Sequence, residues 1–137
     1  MGILTKKLNC AKMLQELSMM LDPGEALIAA VFCSFQRGFF SRDRRILTGY
    51  LGVTDQHRLI GCKYRLFTEV EEETFSIDLR DVTKLRIKDS LYQTKLMTLK
   101  SNNDTMRIQI SPNGGKKFPH QAAYFNRMLP ILAMYQR

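Results

Sequence analysis

Apolar residues recur along this chain in two rhythms. Leu4, Leu8, Ala11, Leu14, Leu17 and Leu21 are spaced by three and four, which predicts a helix over 3–21 with Lys7, Lys12 and Glu16 off its apolar stripe. Asp22-Pro23-Gly24-Glu25 stops it. From Glu25 the rhythm shortens to β-type runs between polar turns, predicting strands near 25–36, 45–54, 57–67, 73–79, 82–89, 93–100 and 104–110. In the third, Ile60, Cys62, Tyr64 and Leu66 face one way while Arg58, Lys63 and Arg65 mostly face the other. Phe75, Ile77 and Leu79, then Leu85 and Ile87, then Met106, Ile108 and Ile110 alternate likewise. The first strand is apolar on both phases, as expected of a segment with an interior on one side and a helix on the other. After the turn-rich SPNGGKK, helical spacing returns: Tyr124, Met128 and Leu132 with Phe125, Leu129 and Met134 form a broad apolar face. Pro119 suits a first helical turn. Pro130 predicts a kink or an early end. The predicted core includes Val31, Leu51, Val53, Ile60, Ile77, Leu85, Ile108 and Leu129.

The chain has 137 residues, 45% of them hydrophobic and 25% charged, which suits one soluble domain. We divide it into a helical extension, 1–21, and a β-rich domain, 22–137. No uninterrupted apolar run approaches the roughly 20 residues that span a bilayer. The early lysines imitate a secretion signal, but Lys12, Glu16, Asp22 and Glu25 interrupt any apolar core of one. Gly2 lacks the Ser or Thr that myristoylation requires, since Lys6 stands there. Cys10, Cys33 and Cys62 are odd in number, widely spaced and without a ligand pattern, which fits a reducing compartment. The expected location is the cytoplasm, with peripheral attachment to the inner membrane face left open.

Gly49, Val53, Thr54, Arg58 and Leu59 lie within ILTGYLGVTDQHRLIGCKYRL, which follows LDPGEALIAA. With the later FSIDLRDVTKLRI, these segments resemble the bacterial pleckstrin-homology-like families and their GRAM relatives, from about residue 20 to the end. The resemblance implies a seven-stranded antiparallel barrel or sandwich closed by a C-terminal helix. It identifies a fold rather than a function, and it makes Arg58 a structural or surface residue. Independently, Thr54-Asp55-Gln56-His57 reads as a tight turn whose side chains bond local backbone N–H groups.

Catalysis has little support. The histidines, His57 and His120, sit in no nucleophile or metal pattern, and there is no phosphate-binding glycine loop or GxSxG elbow. The carboxylate run at 69–73 reads as a solvated connection. No cofactor and no metal site are expected.

A net charge of +8 instead favours an anionic partner. Four arginines surround two phenylalanines in FQRGFFSRDRR, residues 35–45, where Arg37, Phe39, Phe40, Arg42, Arg44 and Arg45 form the candidate site. The pleckstrin-homology layout implies that this segment joins the first two strands at the open end of the barrel, where lipid-binding members hold an inositol phosphate with basic residues. Arginines pair bidentately with phosphate, and exposed phenylalanines enter the headgroup boundary. The same phenylalanines equally suit closing the barrel mouth or packing on another subunit, with the arginines hydrated or paired to Asp43. Two classes of function therefore stay open: a non-enzymatic module for protein partners or self-association, and a peripheral module for anionic lipid. Nucleic acid is a weaker third, since no nucleic-acid motif surrounds the loop.

Overall fold

In the computed structural model, which describes residues 8–36, 47–65, 71–101 and 104–136, the alternating runs form seven strands in the expected order. They are β1 (Leu27–Gln36), β2 (Leu47–Thr54), β3 (Arg58–Arg65), β4 (Glu71–Asp78), β5 (Lys84–Asp89), β6 (Lys95–Ser101) and β7 (Asp104–Ile110). Helix α1 (Cys10–Ser18) precedes them and α2 (Gln121–Ala133) follows. Every pairing is antiparallel, in the order β4-β3-β2-β1-β7-β6-β5. The sheet curls into half a barrel with β4 and β5 as its two edges, and α2 packs on it. No helix among the described residues is long and apolar enough to cross a membrane.

The curl originates in β1. It pairs with β2 along nearly its whole length but with β7 only from Ser34 to Gln36. Upstream, α2 takes the place of β7. The buried Gln121 side chain accepts from the Phe32 N–H at 3.0 Å and donates to the Phe32 carbonyl at 2.7 Å, a side-chain copy of a strand pairing. It also reaches the Ser111 carbonyl at 2.9 Å, and Arg127 donates to the Ile28 carbonyl at 3.2 Å. Backbone groups that β7 abandons are thus satisfied, as buried ones must be.

Register assigns each residue a face. On the concave side, rows such as Ala29–Val53–Leu59–Ile77 and Val31–Leu51–Gly61–Phe75 run across β1 to β4. They meet Leu85, Met97, Leu99 and Ile108 from the other half and Phe125, Met128 and Leu132 from α2. Of the expected core, Val31, Leu51, Val53, Ile60, Leu85 and Ile108 are fully buried, whereas Ile77 and Leu129 are half-buried against it. Ile60 belongs elsewhere, because Ile60, Cys62 and Tyr64 lie on the convex face.

That convex face is the seat of α1. The row Ala30–Gly52–Ile60 is low, and a Cβ on Gly52 would stand 3.1 Å from a Leu17 methyl and 2.7 Å from one of Leu27. Met13 and Leu17, one turn apart, bury there with Phe118, which stacks on Phe32 at 4.6 Å between centroids. Residues 3–7 of the expected helix lie outside the described residues; within them α1 starts at Cys10, where the Asn9 side chain caps it by accepting from the Lys12 N–H at 2.9 Å, and it ends at Ser18, short of the expected Leu21. Ala11, expected on the stripe, is exposed, and Met13 takes the buried position.

Helix α2 begins at Gln121, so Pro119 precedes its first turn, with His120 at the N-cap. It passes through Pro130 and ends three residues further on, at Ala133. Pro130 is exposed, and the carbonyl it leaves unbonded belongs to Asn126, another exposed residue, where water is available. Met134 lies past the helix end and is exposed rather than on the apolar face.

Candidate functional site

The sequence-based candidates Arg37, Phe39, Phe40, Arg42, Arg44 and Arg45 all lie outside the described residues. The strand ends that carry them are described. Gln36 pairs with Arg107, three residues from the start of β7, while Leu47 pairs with Arg65 at the end of β3. The β1–β2, β3–β4 and β6–β7 connections therefore leave from one end of the sheet.

A cleft of about 730 Å³ opens on the concave side. One wall is β4 with Lys63 of β3, and the other is formed by Leu99, Ser101, Asp104, Thr105 and Met106 of β6 and β7. Lys63 and Glu73 of its lining end the cross-strand row Cys33–Gly49–Lys63–Glu73. A Cβ on Gly49 would stand 1.9 Å from the Cys62 carbonyl oxygen, so only glycine fits against β3 there. Gly61, the neighbour on β3, lets the Phe75 ring lie across it: a Cβ at that position would meet the ring at 2.4 Å. The Lys63 ammonium then sits 5.4 Å from the centroids of both Phe35 and Phe75 and 2.7 Å from a Glu73 carboxylate oxygen.

Glu73 belongs to the carboxylate run that reads as a solvated connection. Its carboxylate remains half exposed but anchors the lysine, a pairing visible only once register places residue 73 opposite 63. Asp78, Asp81 and Asp104 complete the charged lining, so the cleft holds one lysine against four carboxylates. Asp78 is pulled down to about 2 by hydrogen bonds from the Arg80 guanidinium and then from the Arg80 backbone N–H. It is ionised at any physiological pH. The cleft is an acidic site, which an inositol phosphate would not enter.

The histidines and cysteines are engaged elsewhere. His57 holds the left-handed position of the β2–β3 turn, with φ at 62°, and bonds the Tyr135 hydroxyl. Cys33 is buried in the core, and desolvation pushes its thiol well up, the Lys63 charge acting weakly the other way. Cys62 lies under α1 with its sulfur 3.8 Å from that of Met20.

The motif residues converge at the far turn. Arg58 shares the convex phase of Ile60, not the opposite one as expected, because β3 is covered on both faces and alternation there does not separate inside from outside. Its guanidinium pairs with the Glu25 carboxylate, whose second oxygen accepts from the Thr54 hydroxyl at 2.6 Å. The Asp22 N–H donates to Glu25 at 2.9 Å, the Ala26 N–H to Asp55 at 2.9 Å, and Arg58 also reaches Ser76 at 2.9 Å. Burial raises the Glu25 pKa, but the Thr54 and Asp22 hydrogen bonds and the Arg58 charge outweigh it and leave it lowered. Glu25, Thr54 and Arg58 are thereby occupied with one another, as a structural corner.

No family model matches the chain, and no curated protein matches it. Among solved structures it is similar to the hSac2 domain from human phosphoinositide phosphatase Sac2, with a TM-score of 0.56 at 9% identity over 91% of this chain and 79% of that one. At that identity the likeness is one of fold.

Proposed function

We propose that the chain is a non-enzymatic pleckstrin-homology-like interaction module that takes up an extended protein segment, from a partner or from a second copy, along the β4 edge and into the acidic cleft beside it. The observation that carries this reading is the open sheet: among the described residues β4 ends it without a neighbouring strand, and the cleft beside it is lined by four carboxylates, Glu73 and Asp78 on β4 itself and Asp81 and Asp104 beyond it. An unpaired edge offers backbone hydrogen bonds to an added strand, and the cleft selects its side chains by charge. A basic or mixed-charge segment fits. The strand order and closing helix implied by the sequence resemblance, and the likeness in fold to the hSac2 domain, support the fold assignment within this proposal.

A peptide-display selection against the full chain, alongside sedimentation over a concentration series, tests it. The expected result is enrichment of basic extended segments, or self-association, in either case lost in Asp81→Lys/Asp104→Lys. A chain that stays monomeric and enriches no segment sensitive to those two changes refutes the proposal.

A further inference from the structure

The β5–β6 hairpin carries two features that the cleft does not use. Because Leu85, Met97, Leu99 and Ile108 point into the core, the intervening residues of β5, β6 and β7 point outward. Those nine positions hold Lys84, Arg86, Lys88, Lys100 and Arg107, together with Leu96, Thr98, Thr105 and Gln109. Five are cations and none is an acid. Lys84 stands directly opposite Lys100, and Arg107 is joined to Arg86 through Thr98. None of the five forms an ion pair with another described residue. Like charges repel across paired strands. The cations stand about 6.7 Å apart along a strand and about 4.8 Å between strands, a field of positive charge spread over three strands.

The second feature is the tip. Leu91 is 76% exposed and Tyr92 is 93% exposed. Tyr92 and Gln93 hold φ angles of 56° and 64°, in the left-handed region that glycine occupies without strain. The turn is pinned beneath them by the Ser90 N–H to the Thr94 carbonyl at 2.8 Å. An aliphatic and an aromatic side chain are thus presented to solvent at the end of a strongly basic hairpin, where glycine and polar residues would be the ordinary choice.

We infer that this hairpin is a membrane-contact surface for bilayers rich in anionic phospholipid: the basic face lies over the headgroups, and Leu91 and Tyr92 enter the headgroup boundary. Charge complementarity selects an anionic partner. The spread of the field favours a bilayer over a single ligand, because cations distributed over three paired strands suit many equivalent headgroups. The tip favours a bilayer over nucleic acid, because Leu91 has no base to stack on, whereas both side chains suit the interfacial layer. None of the five cations, nor Leu91 or Tyr92, lines the acidic cleft.

The test is co-sedimentation of the full chain with phosphatidylserine/phosphatidylcholine vesicles and with pure phosphatidylcholine vesicles, at low and high salt. Binding to the phosphatidylserine vesicles alone, weakening as salt screens it, is expected. Each cation near such a surface strengthens binding about fivefold, so Lys84→Glu/Arg86→Glu/Lys88→Glu is expected to lose on the order of a hundredfold or more. Replacing the same lysines by arginine is expected to preserve it. Leu91→Ser/Tyr92→Ser is expected to lose about tenfold, with little dependence on salt. All of these positions are exposed, and thermal melts establish that the variants fold. Loss of binding in Arg42→Glu/Arg44→Glu/Arg45→Glu with the hairpin variants unaffected would overturn the inference and assign attachment to the β1–β2 connection. Failure of the wild type to bind phosphatidylserine vesicles, or a single-stranded RNA that binds in preference to them, would overturn it as well.

Discussion

Replacing Arg58 by alanine probes the corner that ties the start of β1 to the β2–β3 turn. The Glu25 side chain is 1% exposed and that of Arg58 20% exposed, so the two halves of the pair are not equivalent. Losing Arg58 strands a buried carboxylate with only the Thr54 hydroxyl and the Asp22 N–H as partners. Breaking a fully buried pair costs about 3–5 kcal/mol; water entering where Arg58 stood reduces this to about 2–3 kcal/mol. Glu25→Ala leaves a guanidinium that can still reach water and Ser76, and the cost, about 2 kcal/mol, comes from the two orphaned donors. The double variant is therefore expected to cost about 3 kcal/mol, less than the sum, with a coupling of about 1.5 kcal/mol. Urea denaturation followed by circular dichroism measures all three. The sign with pH follows from the lowered Glu25 pKa: the stabilisation is fully present above the ordinary value of 4.5 and is lost as pH falls through the folded one. The gap between wild type and Glu25→Gln should close on acidification, as pH falls below the ordinary value of 4.5 and through the lowered folded one. Strict additivity, or an Arg58→Ala variant within about 0.5 kcal/mol of wild type, would refute the reasoning.

Gly49→Ala should abolish soluble protein or cost upwards of about 3 kcal/mol, because the backbone oxygen it meets at 1.9 Å cannot step aside; a melt within about 3 °C of wild type would count against this. Gln121→Leu preserves bulk but orphans both backbone groups of Phe32, for an expected loss of about 2–4 kcal/mol in urea. Thiol titration of the native protein should find Cys10 reacting first, with Cys33 silent until unfolding even at pH 9, since burial holds it protonated. Asp81→Lys/Asp104→Lys, which abolishes segment binding at the cleft, should leave phosphatidylserine binding intact or slightly stronger, because it adds positive charge away from the hairpin.

Alternation located the strands because one face of each meets the concave core, and the 3.6-residue rhythm located both helices. It misassigned Arg58 because β3 is buried on both faces, and period two then carries no inside and outside. Ala11 and Met13 exchanged roles because an apolar stripe about 100° wide leaves several residues within one step of its centre, and only the seat made by Ala30 and Gly52 selects Met13 and Leu17. Gln121 gave no signal at all: a buried glutamine that imitates a strand is defined by where β7 parts from β1. The Lys63–Glu73 centre was hidden for a related reason, since its residues are ten apart in sequence and become neighbours through register. Lys84, Arg86 and Lys88 were legible as polar positions of a strand, but Lys100 and Arg107 join them only when the three strands are laid side by side.

The same register that builds the sheet also sorts its charge. A net of +8 describes a chain on which an acidic concave cleft and a basic convex face coexist, and neither sign at a surface follows from the total. The sorting has a structural cause. On the concave side Lys63 can lie among aromatic rings because Glu73 and the neighbouring aspartates offset it, so the cleft must keep its carboxylates. On the convex side of β5 to β7 no helix among the described residues covers the strands as α1 covers β1 to β3, and Lys84, Arg86, Lys88 and Lys100 are exposed, so their long cationic side chains stay hydrated without a partner. The motif residues Glu25, Thr54 and Arg58 sit at the β2–β3 turn, bonded to one another. They account for why the sequence resembles a fold, whereas the binding chemistry proposed for the cleft and for the hairpin lies on residues outside that signature.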